Sequence, residues 1–303
     1  MCMSDTTTIE LNNGMQLVRT ADGYWSCHPL PSAEDLQEHY NNKYYGASEN
    51  KGQYSYEYTP EELEHKYLSA KEALHFAPPN GRTLFELGVG EGFLLNHFVE
   101  KGWDAHGIDF TDDGLKRFFP ALLNRLSTGD AYRLLDEYCE SGDTFDMVVC
   151  ANVLEHVLNP VTLLTRIKGI LTQNGVCRIS VPNDGSWLQD EMVRRGLAKP
   201  HFYVTPPEHL HYFSADSLRK LFARCGLHVI EILAEFPIDV FLLNPDTCYT
   251  QDKDKGRNCH FARVAFELGL WRQSIEQLIE FRRGCAAAGV GRNLIVYATP
   301  NGN

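Results

Sequence analysis

Gly88, Gly90 and Gly92 recur at alternate positions in Glu86-Leu-Gly-Val-Gly-Glu-Gly92, behind a short apolar run and ahead of a helical pattern. Glycine at such a turn lets the backbone bend tightly and approach a ligand with no Cβ in the way. The helix start behind it offers unpaired N–H groups. Asp109 stands seventeen residues past Gly92, at the end of the next apolar run. An acidic side chain there can accept from both hydroxyls of a ribose. Loops of this kind also bind dinucleotides, but Phe93 occupies the place of their third glycine. Glu86 adds a carboxylate two residues before the first glycine. Its charge would repel a pyrophosphate and favour a ligand carrying an ammonium and a sulfonium. The plainer alternative is a structural turn with a solvated Asp109.

Histidines provide the second set of candidates. His209 and His211 lie in Pro-Glu-His-Leu-His-Tyr-Phe, and His156 follows Glu155 in Val-Leu-Glu-His-Val. Imidazole is suited to taking a proton near neutral pH. Equally, the two loop histidines could simply tie that loop to the core, and Glu155-His156 could be a helix-start feature. The His-x-His pair has no third ligand beside it in sequence, and the nine cysteines form no CxxC pair. No metal site is therefore expected. An odd, scattered set of cysteines reads as reduced and mostly buried.

These residues need elements to position them. Apolar strands are expected at Thr83–Leu87, Asp104–Ile108, Phe145–Ala151, Val176–Val181, Leu227–Leu233 and Asn293–Thr299, with another short strand ending near Gly129-Asp130. Helical spacing appears from Pro60 to the Pro78-Pro79-Asn80-Gly81 stop, over Phe93–Lys101, around Asp113–Asn124, over Pro160–Leu171 and after the capping Ser214. Strands alternating with helices predict an α/β, doubly wound, Rossmann-like sheet of seven mainly parallel strands with helices on both faces. Its ligand edge is the one carrying the strand C-terminal ends. The chain divides into four parts: an irregular N-terminal arm or cap (1–59), a cofactor-binding core (60–235) with a substrate loop at 183–212, a helical insertion (236–292), and a final core strand (293–303). The tyrosines of the arm (Tyr40, Tyr44, Tyr45, Tyr54, Tyr56 and Tyr58) either cover a ligand or pack the arm down. Trp187, Phe202 and Tyr203 of the loop either wall a pocket or fill the core.

The formal net charge of −12, with no clustered Lys and Arg, argues against nucleic acid as substrate. The N-terminus shows no secretory signal, and no apolar run is long enough to cross a bilayer, so a cytoplasmic location and no membrane partner are expected. Oligomeric state is not legible.

The glycine loop, Asp109, Gly129-Asp130-Ala131 and Phe145-Asp-Met-Val-Val-Cys-Ala-Asn-Val-Leu-Glu-His-Val157 together resemble class I S-adenosylmethionine-dependent methyltransferases. Within these the likeness is to the small-molecule branch of ubiquinone-type O-methyltransferases and sugar methyltransferases, over residues 60–235 and the final strand. The resemblance implies S-adenosyl-L-methionine as cofactor and a small-molecule acceptor. It implies that Asp109 holds the ribose, Phe110 packs near the adenine, Asp130 accepts from the adenine amino group and Ala131 offers a backbone contact. Glu86 and the loop Gly88, Gly90 and Gly92 would face the methionine moiety. Asn152 would lie under the cofactor, and Glu155 and His156 near the transferring methyl. It also directs attention to His209 as an acceptor-side group. Tyr24 to Leu36 is similar to the segment behind a cysteine knuckle in some relatives, but only Cys2 and Cys27 remain here. Pro206-Pro207 is not the Asn-Pro-Pro-Tyr type of motif, which belongs after the fourth strand. An NAD-dependent oxidoreductase and a binding module without catalysis stay open as other readings.

Overall fold

The computed structural model describes residues 7–11, 14–44, 56–250 and 252–300. Three short strands, β1 (Thr8–Glu10), β2 (Gln16–Arg19) and β3 (Trp25–His28), form an antiparallel meander. Helices α1 (Ala33–Tyr44), α2 (Pro60–Lys66) and α3 (Leu68–Phe76) come next. The alternating part runs β4 (Thr83–Leu87), α4 (Phe93–Glu100), β5 (Asp104–Asp109), α5 (Asp113–Phe118), β6 (Leu126–Thr128), α6 (Ala131–Ser141), β7 (Phe145–Ala151), α7 (Pro160–Gly169) and β8 (Leu171–Pro182). The chain continues through α8 (Trp187–Arg194), β9 (His211–Tyr212), α9 (Ala215–Arg224), β10 (Leu227–Ala234), α10 (Lys255–Gln273), α11 (Ile275–Ala287) and β11 (Asn293–Pro300).

The seven apolar runs form one sheet in the order β10-β11-β8-β7-β4-β5-β6. Only β11 runs against the others, pairing antiparallel with both β10 and β8. Parallel strands are covered on both faces, which is why Phe145–Ala151 is almost continuously apolar. The winding reverses at β4: β5 and β6 lie on one side of it and β7 and β8 on the other. A crevice opens at such a reversal, outside the C-terminal ends of the strands.

Helix periodicity decides which face each helix covers. Leu135, Leu164, Ile167, Leu221 and Phe222 bring α6, α7 and α9 onto the sheet face of Phe85, Leu87 and Val148. Ala70, Ala73, Leu95, Phe98 and Ile279 bring α3, α4 and α11 onto the face of Leu84, Met147 and Ile295. The helix starts are chemically marked. Asn159 accepts from the Thr162 N–H ahead of α7, and Ser214 accepts from the Ser217 N–H ahead of α9. Each such cap is worth about 1 kcal/mol.

A buried ionic chain crosses the second face. Glu72, fully buried in α3, receives Arg178 Nε (β8) at 3.2 Å, the Tyr297 hydroxyl (β11) at 2.7 Å and Arg282 Nη1 (α11) at 2.5 Å. Arg282 Nη2 continues to Glu267 Oε1 (α10) at 2.6 Å, and Glu267 Oε2 meets His65 Nε2 (α2) at 2.8 Å. Burial alone would raise the Glu72 carboxyl, but Arg282 and Arg178 outweigh it and hold it below the usual range.

Several expectations change. The pattern from Pro60 is two helices that break at Tyr67, and the helical stretch of the 236–292 insertion is two helices separated by the extended Ser274, which caps α11. The N-terminal segment is not wholly irregular: β3 pairs with β9, matching Trp25 with Tyr212 and Ser26 with His211. The loop at 183–212 is thereby stitched to the N-terminal meander, and it also contains α8. Tyr45, Tyr54 and Cys2 lie outside the described residues. The other eight cysteines are free thiols, and all but Cys139 are buried. No helix among the described residues is long and apolar enough to cross a membrane.

Candidate functional site

The glycine loop leaves the end of β4 at the crevice. Gly88 has φ +78°, and a Cβ there would meet Val153 Cγ2 at 3.1 Å. Gly90 has φ +56° and faces open space, a left-handed backbone that glycine adopts without cost. Its N–H donates to Asp109 Oδ2 at 2.7 Å, while the Thr111 N–H donates to Oδ1 at 3.2 Å. The carboxylate that ends β5 is thus fixed beside the loop. Each of its oxygens has a second lone pair with which to accept from a hydroxyl.

Glu86 lies behind the loop, 5% exposed, and its Oε2 makes no hydrogen bond among the described residues. Burial, and then the charge of Asp109, push its carboxyl well above the usual range. Burial likewise raises Asp109, against the pull of three backbone N–H groups. Two acidic side chains so close in a buried place favour a cation between them. The Glu86 carboxyl is thus raised in the free protein, and a bound ammonium or sulfonium would lower it again. The arrangement fits S-adenosylmethionine: a hydroxyl acceptor at Asp109, a cation acceptor at Glu86, and an open glycine backbone between them.

The other wall follows β7. Asn152 is left-handed (φ 54°) with its N–H on the Ser180 carbonyl at 2.9 Å. Asparagine tolerates this conformation better than most residues. The turn lays Glu155 back over the sheet edge, where its carbonyl accepts from the Leu210 and His211 N–H groups at 2.8 and 3.2 Å. His156 Nδ1 donates to the Glu208 carbonyl at 2.5 Å. These contacts bring His209 against the turn, its ring centroid 4.9 Å from that of His156. Glu155 is 1% exposed with neither carboxylate oxygen hydrogen-bonded, and burial pushes it up to about 7. His156 Nε2 stands 3.7 Å from Glu155 Oε1. His209 Nδ1 stands 3.9 Å from Asp184 Oδ2, and Arg292 approaches Asp184 at 3.5 Å. Glu155, His156 and His209 offer ligand atoms within 4.8 Å of one another, so the neighbours of His209 come from the turn after β7 and not from the His-x-His pair.

His211 does not join them. It is buried between Tyr24 and Phe213, its Nε2 donates to the Val157 carbonyl at 2.8 Å, and burial lowers it to about 4. It is a wall residue: His209 precedes the two-residue strand β9, so it is not held to the face that β9 gives His211. Asp130 is at the crevice, but one of its oxygens caps α6 through the Arg133 N–H at 2.8 Å. Ala131 opens α6, and Phe110 is half-buried just after Asp109. Trp187 is 56% exposed and donates to the Ala288 carbonyl. Tyr203, with Asp184, lines a cavity of about 320 Å³. Tyr58 reaches the glycine loop, donating to Glu91 Oε1 at 2.6 Å, and Lys66 binds the other oxygen at 2.6 Å.

Asp184 and Lys66 were not singled out from sequence. Asp184 could have been found as the acidic residue just past the C-terminal end of the fifth expected strand. Lys66 carries no such mark.

Residues 58–232 match the family described as "Methyltransferase domain". The chain belongs to this family, within the class I S-adenosylmethionine-dependent methyltransferases. Among curated proteins it is 24% identical over 173 residues to the ubiquinone biosynthesis O-methyltransferase of Pectobacterium carotovorum, covering 52% of this chain and 71% of that one. It is 30% identical over 113 residues to an uncharacterized methyltransferase of Mycobacterium bovis, covering 36% and 42%. Among solved structures, the 1,6-didemethyltoxoflavin-N1-methyltransferase of Burkholderia thailandensis aligns over 98% of this chain and 100% of its own, at 12% identity and a TM-score of 0.49.

Proposed function

We propose that the protein methylates a small-molecule acceptor from S-adenosylmethionine, with 60–235 and 293–303 as the cofactor-binding core and the arm, the 183–212 loop and the 236–292 insertion on the acceptor side. The observation that carries this is one crevice bounded by the buried Glu86, the half-buried Asp109 and the buried Glu155 carboxyl beside His209. When bound, the cofactor supplies an electrophilic methyl group, so the protein's tasks are to position the acceptor and to take its proton. Asp109 holds the ribose hydroxyls, Asp130 and Ala131 border the adenine with Phe110, and Glu86 receives the ammonium end along Gly88, Gly90 and Gly92. Asn152 shapes the floor. His209 takes the acceptor's proton, Asp184 and Glu155 stabilise the resulting imidazolium, and His156 fixes the loop through Glu208.

Calorimetric titration with S-adenosylmethionine, S-adenosylhomocysteine and NAD in parallel tests the reading; binding of NAD alone would overturn it. Asp109→Ala should weaken S-adenosylmethionine at least about 100-fold, because two hydrogen bonds to a charged group are worth about 1.5–3 kcal/mol each. Unchanged affinity would remove Asp109 from the ribose.

The raised carboxyl of Glu86 adds a pH effect. A cation beside it lowers its pKa, so binding releases a proton and affinity rises with pH below the pKa of the free protein. One linked proton changes affinity by up to about tenfold per pH unit. Titrations in buffers of different ionisation heat should show proton release in the wild type and none from this group in Glu86→Gln.

A further inference from the structure

A cavity of about 750 Å³ lies between α2 and α10, lined among others by Tyr58, Lys66, His260, Arg263, Arg257 and Glu235. Its walls are linked to the crevice residues at two places. At one, Tyr58 and Lys66 grip Glu91 within the glycine loop. At the other, Glu235 accepts from Asn293 Nδ2 at 3.0 Å, next to the Arg292 that faces Asp184 and through it His209.

The charges around this cavity do not balance by pairs. Lys66 is matched by Glu91, His65 by Glu267, and Arg282 by Glu72 and Glu267. Glu62 accepts from the Thr59 N–H, the Tyr56 hydroxyl and His260, all neutral, so its carboxylate and that of Glu235 also face the cavity. Arg257 and Arg263 have no carboxylate partner among the described residues. They and His260 stand three residues apart on α10 and so share a helix face. Arg263 donates from Nη2 to His260 Nδ1 at 3.2 Å, and its buried Nε makes no hydrogen bond. A guanidinium only donates; His260 therefore accepts at Nδ1 and donates from Nε2 to Glu62 at 2.9 Å. The ring is neutral, and it braces Arg263 without cancelling its charge. Arg257 lies over the Phe261 ring at 5.5 Å, which leaves its N–H edge open to a planar or tetrahedral anion.

We propose that this cavity receives the acceptor and that Arg257 and Arg263 bind an anionic group on it, a carboxylate or a phosphate, while the atom to be methylated lies toward His209. The assignment rests on the methyltransferase reading and adds the chemical class of its acceptor.

The test uses the full chain saturated with S-adenosylhomocysteine, titrated separately with inorganic phosphate and with malonate. The wild type should bind at least one of them, and the tighter one names the group. Arg257→Gln and Arg263→Gln should each weaken that binding at least tenfold and leave S-adenosylhomocysteine affinity unchanged. Arg272→Gln, an exposed residue paired with Glu64, should change neither. Arg257 is exposed, so its variant keeps the fold even if Arg263→Gln does not. No anion binding by the wild type, or equal binding by the Arg257 variant, overturns the proposal. Loss of S-adenosylhomocysteine binding in the wild type itself would overturn the cofactor reading instead, and Arg-dependent anion binding would then mark a site for a different reaction.

Discussion

His209→Ala should lower kcat by about 10²–10⁴-fold, the usual worth of a positioned proton acceptor, with S-adenosylmethionine affinity unchanged. The ring is the one imidazole of the cluster flanked by two acidic side chains, Asp184 at 3.9 Å and the buried Glu155. Both would stabilise the imidazolium that forms as the acceptor loses its proton. The glycine loop and Asp109 are separate from it, so cofactor binding should not change. The wild-type pH profile of kcat should have a rising limb near 7, where Glu155 ionises, although a coupled cluster titrates as a unit. A fully active His209→Ala would remove the residue from the mechanism. Treatment with a chelator gives the complementary result: undiminished turnover supports proton transfer, whereas loss that is restored by a divalent cation would assign Glu155, His156 and His209 to a metal.

The second large effect is on stability. Glu72→Gln should cost about 3–5 kcal/mol in chemical denaturation, as expected when one partner of a buried ionic group is removed. The mutation leaves Arg178 and Arg282, both 2% exposed, without their shared carboxylate. Acid should act in the same direction. Arg282 and His65 overcome burial to hold Glu267 at about 2, and Glu72 is lowered too. The unfolded chain therefore binds more protons, and stability rises with pH in this range. The contribution is complete above the ordinary glutamate pKa of about 4.3 and is lost as pH falls through the depressed values. A cost below about 1 kcal/mol for Glu72→Gln would mean that Tyr297 and solvent replace the carboxylate.

The sheet was legible because its strands are buried on both faces and so announce themselves as apolar runs. Phe145–Ala151 and Thr83–Leu87 fall where expected to the residue. Helix ends were legible wherever a side chain caps them, as at Asn159 and Ser214. The break at Tyr67 was not, since the apolar spacing runs on through it and only tertiary packing of α2 against α10 separates the halves. The ionic chain from Arg178 to His65 was invisible for a related reason. Its members come from five elements, and no local pattern links a glutamate in one helix to arginines more than a hundred residues away. In the site, the placement of the glycines and of Asp109 was readable because each stands at the C-terminal end of a neighbouring apolar strand, β4 and β5. Which histidine faces the crevice depended on the pairing of β9 with β3, a long-range contact. That pairing sets His211 inward and leaves His209 at the edge.

The same pairing shifts where the catalytic unit begins. The family match starts at residue 58, yet the Cys27 N–H donates to the Leu210 carbonyl at 2.8 Å and its thiol approaches the His209 carbonyl at 3.7 Å. The strand β3 is thus a brace for a group nearly two hundred positions downstream. A chain shortened only at its N-terminal strands would retain the glycine loop, Asp109 and Glu86 but lose the strand that pairs next to His209. On the roles proposed above, loss of those strands should leave affinity for the cofactor and impair transfer.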